Sequence, residues 1–204
     1  MPDSPSFART YLNETSQLAH AIDADVIEDL AERLARGREC GRLFILGIGG
    51  SAANASHAVN DFRKLCGIEA YAPTDNVSEL TARTNDEGWN TAFVGWLRTN
   101  HLHSGDAVFV LSVGGGSASV SQGLIQAVEY AEEQSAQVYA IIGKADGKVA
   151  YYADCCIVVP ELFPHHLTPH AEECQSIILH CLVSHPLLQQ QEPTWERLSV
   201  SRST

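Results

Sequence analysis

Long apolar runs are absent from this 204-residue chain. No stretch approaches the roughly 20 consecutive apolar residues that a membrane-spanning helix requires, which excludes a membrane partner of that kind. Cations are scarce too: 13 Lys and Arg stand against 25 Asp and Glu, a formal net charge of −12. They are nowhere clustered, so the basic surface that grips a phosphate backbone is missing and nucleic acid is excluded as a partner. A small anion is not excluded, because backbone N–H groups and hydroxyls at a helix start hold one without net positive charge. No Cys-x-x-Cys pair occurs, and the six cysteines at positions 40, 66, 155, 156, 174 and 181 read as reduced core thiols rather than a disulfide framework. Met1-Pro2-Asp3-Ser4 lacks a basic stretch leading into an apolar run and cleavage site, which predicts a soluble, cytoplasmic chain. Repeats and low-complexity linkers are also missing, and the length suits one full core.

What is present is an alternation of two periodicities. Leu18, Ala21 and Ile22, then Val26, Ile27, Leu30, Ala31 and Leu34, recur at helical spacing, so residues 1–40 read as two helices. From about residue 41 short apolar runs bounded by glycine alternate with helical stretches. Strands are expected at 42–46, 68–72, 106–112, 137–142 and 155–159. Helices are expected from Ser51 to about Cys66, at 78–85, 89–98, 118–133 and 148–152, and from Thr168 to about Ser184. Such alternation predicts an α/β fold: a doubly wound, mostly parallel five-stranded sheet with helices on both faces and an N-terminal helical extension. Residues 41–187 form the expected core domain, and 188–204, with Gln189-Gln190-Gln191, a flexible tail. Cys155 and Cys156 lie in a strand, where adjacent side chains point to opposite faces and cannot share a metal.

Two strands run into glycine-rich turns that open helices: Gly47-Ile48-Gly49-Gly50-Ser51 and Val113-Gly114-Gly115-Gly116-Ser117. In an open parallel sheet the ligand lies outside the carboxyl ends of the strands. Gly49, Gly50, Gly114 and Gly115 allow close backbone approach, and Ser51, Ser112 and Ser117 add hydroxyls where helix dipoles favour negative charge. A dinucleotide loop is the rival for the first turn, with Glu69 as the ribose acid. Ala52 stands where its third glycine belongs, however, and a second serine-bearing turn favours phosphate.

His57 and Asp61 are spaced i and i+4, so they project from one helix face. Glu172 and His180, eight apart, share a face of the last helix. The spacing fits two satisfied core histidines. Spacing alone favours that reading over the other that it allows, a four-residue cluster for zinc or a similar divalent ion if the helices converge. His165, His166 and His170, beside Pro164 and Pro169, read as exposed loop histidines with no metal.

These motifs resemble the SIS (sugar isomerase) family of phosphosugar isomerases, and within it the phosphoheptose isomerases. Residues 46–57, LGIGGSAANASH, resemble the G-N-G-G-S-A-A-D-A-Q-H signature. LTARTNDEGW at 80–89 is similar to L-T-A-x-x-N-D-x-G-[YF], GKADGK at 143–148 to G-x-x-G-G-K, and 168–180 to a C-terminal R-I-Q-E-x-H-x-x-x-x-H helix. The resemblance covers residues 40–185 and implies a flavodoxin-like three-layer fold. It also implies aldose–ketose isomerisation of a small phosphorylated sugar, sedoheptulose 7-phosphate, through a metal-assisted enediol, in a homotetramer whose N-terminal helices complete interfacial sites. A non-catalytic SIS phosphosugar-binding or adaptor protein is the alternative.

Carried over by position, Ser51, Ser112 and Ser117 match phosphate-binding residues and Asp86 an acid near the sugar hydroxyls. His57, Asp61, Glu172 and His180 match the metal and acid–base cluster, with Asp61 or a neighbouring carboxylate such as Glu172 as base and His180 as acid. The chain departs from the pattern in several places. Asp61 replaces a glutamate, Glu172 a glutamine, His170 an arginine, Gln175 a histidine and Ile48 an asparagine. The second loop, 112–117, lacks two hydroxyl side chains and an amide of the family's S-T-S-G-N-S.

Overall fold

The computed structural model describes residues 6–191. Two helices, α1 (Phe7–Ala21) and α2 (Ala24–Gly37), precede β1 (Leu43–Gly47), α3 (Gly50–Cys66), β2 (Ala70–Tyr71), α4 (Val77–Asp86) and α5 (Ala92–Thr99). There follow β3 (Ala107–Ser112), α6 (Gln122–Glu133), β4 (Gln137–Ile142), α7 (Lys148–Tyr152), β5 (Cys155–Val158) and α8 (Leu167–Val183), with 3-10 turns at 73–75, 89–91 and 164–166. The five strands pair in parallel in the order β2-β1-β3-β4-β5. The fold is the expected doubly wound α/β sandwich.

Strand alternation splits the core into two layers. Leu43, Ile45, Phe109, Leu111, Ile141 and Ile157 face α2, α3 and α8, where they meet Leu30, Leu34, Phe62, Ile178 and Leu182. Phe44, Leu46, Val108, Val110, Val138 and Ile142 face α5, α6 and α7, packing on Phe93, Leu97, Leu124, Val128 and Val149. Burial on both faces is why these strands read as unbroken apolar runs. Cys155 joins the first layer and Cys156 packs against the second, the opposition expected of strand neighbours. Burial pushes the thiols of Cys66 and Cys174 up to about 11 and that of Cys155 up to about 12. Cys40 and Cys181 are exposed, so the reading of all six as core thiols fails for those two. No helix among the described residues is long and apolar enough to cross a membrane.

The amino ends of β1 and β3 are tied by a buried ion pair. Asp106, 1% exposed, accepts hydrogen bonds from the Arg42 N–H at 2.9 Å, from Arg42 Nη2 at 2.7 Å and from the His103 N–H at 3.1 Å.

Two segments differ from the sequence expectation. The helix expected from Ala118 begins at Gln122. Serine-rich 117–121 closes on itself instead, with the Ser117 N–H donating to the Val120 carbonyl at 2.9 Å and Ser121 in the left-handed region. Serines compete with helix by such local bonding. The tail expected to be flexible from 188 is packed at its start: Leu188 is 0% exposed, and the Gln190 N–H donates to the Leu65 carbonyl at 2.8 Å. The apolar Leu188 side chain gains more by burial than the short segment gains by fraying. The remainder of that expectation, 192–204, lies outside the described residues.

Candidate active site

Because β1 has β2 on one side and β3 on the other, the chain leaves β1 for α3 on one face and leaves β3 for α6 on the opposite face. The crevice between these exits is the switch point at which doubly wound sheets bind ligands. A cavity of about 380 Å³ occupies it, lined by Ile48, Ser51, Ser112, Gly114, Ser117 and Lys144, among others. Gly49 opens α3 with φ +65, a left-handed conformation that suits glycine. The first N–H groups of α3 are left without intrahelical partners. Ser112 accepts from the Gly115 N–H at 3.1 Å, so its own proton remains available to a ligand.

Gly115 itself lies behind the loop rather than on the cavity wall. The third turn, 143–147, packs against it: a Cβ on Gly147 would fall 2.6 Å from the Gly114 carbonyl oxygen, and the Val149 N–H donates to the Gly115 carbonyl at 2.9 Å. That packing brings Lys144 to the cavity. It is a cavity-lining residue the sequence reading misses, and the signal is there: a cation in a glycine turn at the carboxyl end of a parallel strand. Asp86, exposed at the end of α4, is not among the residues lining this cavity.

Helices α3 and α8 run side by side in the same direction. Asn54 Nδ2 donates to the Glu172 carbonyl at 2.9 Å and to Gln175 Oε1 at 3.1 Å, and Ser176 donates to Asn54 Oδ1 at 2.9 Å. This half-buried polar ladder sets the axial register. One turn further along, His57 Nε2 stands 3.1 Å and His180 Nε2 4.0 Å from Asp61 Oδ2, and Asn60 Nδ2 holds the other Asp61 oxygen at 2.8 Å. Their ligand atoms lie within 4.8 Å of one another. The two imidazoles are 60% and 58% exposed and Asp61 16%, so they are not satisfied core histidines. Two imidazoles and a carboxylate suit zinc, and the open side leaves room for a substrate ligand. The residues fit a divalent ion.

Glu172 does not join them. Its carboxylate is pressed against the start of α3, where a Cβ on Gly50 would meet Glu172 Oε2 at 2.3 Å. Residues eight apart share a helix face but are separated by roughly 12 Å along the axis. With α3 and α8 parallel, His180 reaches Asp61 while Glu172 reaches the first glycine turn at Gly50. The expected four-residue metal set is therefore three residues within this chain, and Glu172 stands at the start of α3 instead. A carboxylate at a helix N-terminus is electrostatically favoured there.

The reading of the other histidines as loop-exposed holds for His165 alone. His170 is 2% exposed inside α8, and His166 Nδ1 and His170 Nε2 approach Glu14 Oε2 at 2.8 and 2.9 Å.

The SIS domain family model matches residues 10–143. The chain is 32% identical over 169 residues to a phosphoheptose isomerase of Chlorobaculum tepidum, covering 79% of this chain and 77% of that one. It is 30% identical over 187 residues to a phosphoheptose isomerase of Mycobacterium tuberculosis, covering 88% and 90%. The structure of a phosphoheptose isomerase from Neisseria gonorrhoeae superposes with a TM-score of 0.76 at 26% identity, over 87% of this chain and 95% of that one. Matched along most of its length in sequence and in fold, the chain belongs to the SIS-domain phosphoheptose isomerases, a family of aldose–ketose isomerases.

Proposed function

We propose that the chain interconverts sedoheptulose 7-phosphate and a heptose 7-phosphate in the cytoplasm. The observation that carries this reading is the alignment, along one parallel helix pair, of an anion cradle, Glu172 and the His57–Asp61–His180 cluster. The phosphate binds the N–H groups opening α3, the hydroxyls of Ser51, Ser112 and Ser117, and the Lys144 ammonium. Gly49, Gly50 and Gly114 keep the backbone close enough to reach it, Gly115 supports the loop from behind, and Asp86 meets sugar hydroxyls where subunits adjoin. The sugar then extends over Gly50 and Glu172 toward His180.

Moving the carbonyl between C1 and C2 needs one group to take the carbon-bound proton and another to protonate oxygen. Asp61 takes the first role through Oδ1 and His180 the second through Nδ1, which leaves Asp61 Oδ2 and the two Nε2 atoms free to hold an ion, with Glu172 as the carboxylate that steers the sugar hydroxyls and relays a proton. His57, Asp61 and His180 would hold a divalent ion, zinc by their ligand chemistry, and when bound it would supply Lewis-acid polarisation of the carbonyl. The site is completed in a homotetramer, a reading supported by the exposed Phe7 and Leu12 of α1 and Ile177 of α8. Isomer formation from C5 to C7 ketose phosphates tests the proposal. Turnover is expected to be highest for the C7 substrate, lost on chelation and restored by zinc. Absence of turnover with every substrate, metal supplied, overturns it.

Lys144→Ala provides a separate test of the cradle. The ammonium is exposed and partly screened, so KM is expected to rise about tenfold with kcat nearly unchanged. An unchanged KM removes Lys144 from phosphate binding.

A further inference from the structure

A second constellation lies where α1 crosses α8. Glu14 projects from α1, His166 from the 3-10 turn before α8, and His170 from its first turn, with ligand atoms within 4.8 Å of one another. Both imidazoles aim a nitrogen at the same oxygen, Glu14 Oε2, at 2.8 and 2.9 Å. We infer that Glu14, His166 and His170 form a second divalent-cation site, of zinc type, that clamps α1 onto α8.

Three features point to a cation rather than a plain hydrogen-bond network. The donor set is two imidazoles and one carboxylate, the composition that zinc and its borderline neighbours prefer. His170 is also built as metal-bound histidines are, with its far nitrogen fixed by a carboxylate. Its Nδ1 lies 3.3 Å from Glu173 Oε2, the Tyr11 hydroxyl donates to Glu173 Oε1 at 2.7 Å, and the Tyr11 ring stacks on the imidazole at 4.5 Å. The tautomer that donates from Nδ1 leaves Nε2 as a lone-pair donor facing Glu14. Charge supplies the third feature. Glu14 and Glu173 bring two carboxylates to a site whose central imidazole is 3% exposed, and among the described residues neither pairs with Lys or Arg. Partly buried anions need a counter-charge, and a divalent ion provides it.

The inference does not rest on the catalytic reading, and its test is built to stay independent of that reading. The full chain carrying His57→Ala and His180→Ala is freed of metal, incubated with zinc or cobalt, desalted and assayed for bound metal. One ion per chain is expected to remain, and zinc is expected to raise its melting temperature, because a ligand of the native state stabilises it. Adding His166→Ala, a partly exposed position, or Glu14→Gln is expected to remove both the ion and the thermal shift, with the circular dichroism spectrum retained. A folded His57→Ala, His180→Ala protein that keeps no metal overturns the inference. So does retention of the ion after either added substitution.

Discussion

His180→Gln and Asp61→Asn are each expected to lower kcat by about 10²–10⁴-fold, the usual contribution of a positioned acid or base. Both side chains reach solvent, at 58% and 16% exposure, and neither belongs to the apolar core. The loss therefore falls on chemistry, with melting temperature little changed. The anion cradle lies at the other end of the helix pair, so KM should move far less than kcat. A parallel fall in kcat and kcat/KM marks an interaction made in the transition state alone. Single-substrate kinetics beside a thermal melt reads both, and unchanged turnover in both variants ends the assignment.

Asp106→Asn is expected to cost about 3 kcal/mol, toward the low end for a broken buried ion pair because Arg42 is partly exposed. For a chain of this size that lowers the melting temperature by about 6–12 °C. The introduced amide would turn an N–H toward the Arg42 guanidinium and leave part of it unpaired. Burial alone would raise the Asp106 pKa, but hydrogen bonds from the Arg42 guanidinium and from the Arg42 and His103 N–H groups outweigh it and hold the carboxyl below its usual value. A carboxyl with a depressed folded-state pKa stabilises fully above its unfolded value, about 3.9. That contribution is lost as pH falls through the lower folded value. The wild-type chain should lose this part of its stability only below about pH 4, while the variant lacks it throughout. Urea titrations at pH 7 and across the acid range check the sign. Equal stability of the two proteins at pH 7 refutes it. The pair lies at the amino end of the sheet, away from the cavity, so kcat per folded chain should stay close to wild type.

Much of this molecule is legible from local pattern. The five strands, the short helix 148–152 and the two glycine turns are all visible there, because periodicity and turn chemistry are set by residues a few positions apart. The pairing of His57 with Asp61 is visible for the same reason. Less legible are features set by the stacking of elements. The i,i+8 spacing of Glu172 and His180 reveals a shared face, but not the level at which another helix meets it. The polar ladder at Asn54 and Ser176 decides that level, sending Glu172 to Gly50 and His180 to Asp61.

Lys144 comes to the cavity only through the packing of the third turn on the second. His170 resembles a loop residue because of Pro164 and Pro169, yet its imidazole is enclosed by Tyr11 and Glu14, the latter 156 residues away. Sequence alone determined the α/β class, the position of the glycine turns and the His57–Asp61 pair of the His57–Asp61–His180 cluster, since each depends on neighbours along the chain. Tertiary structure alone decided that Asp61 rather than Glu172 sits with both histidines, which cation lines the cavity and which acid joins His166 and His170. Those choices depend on distances between elements that meet only when the apolar layers on both sides of the sheet close.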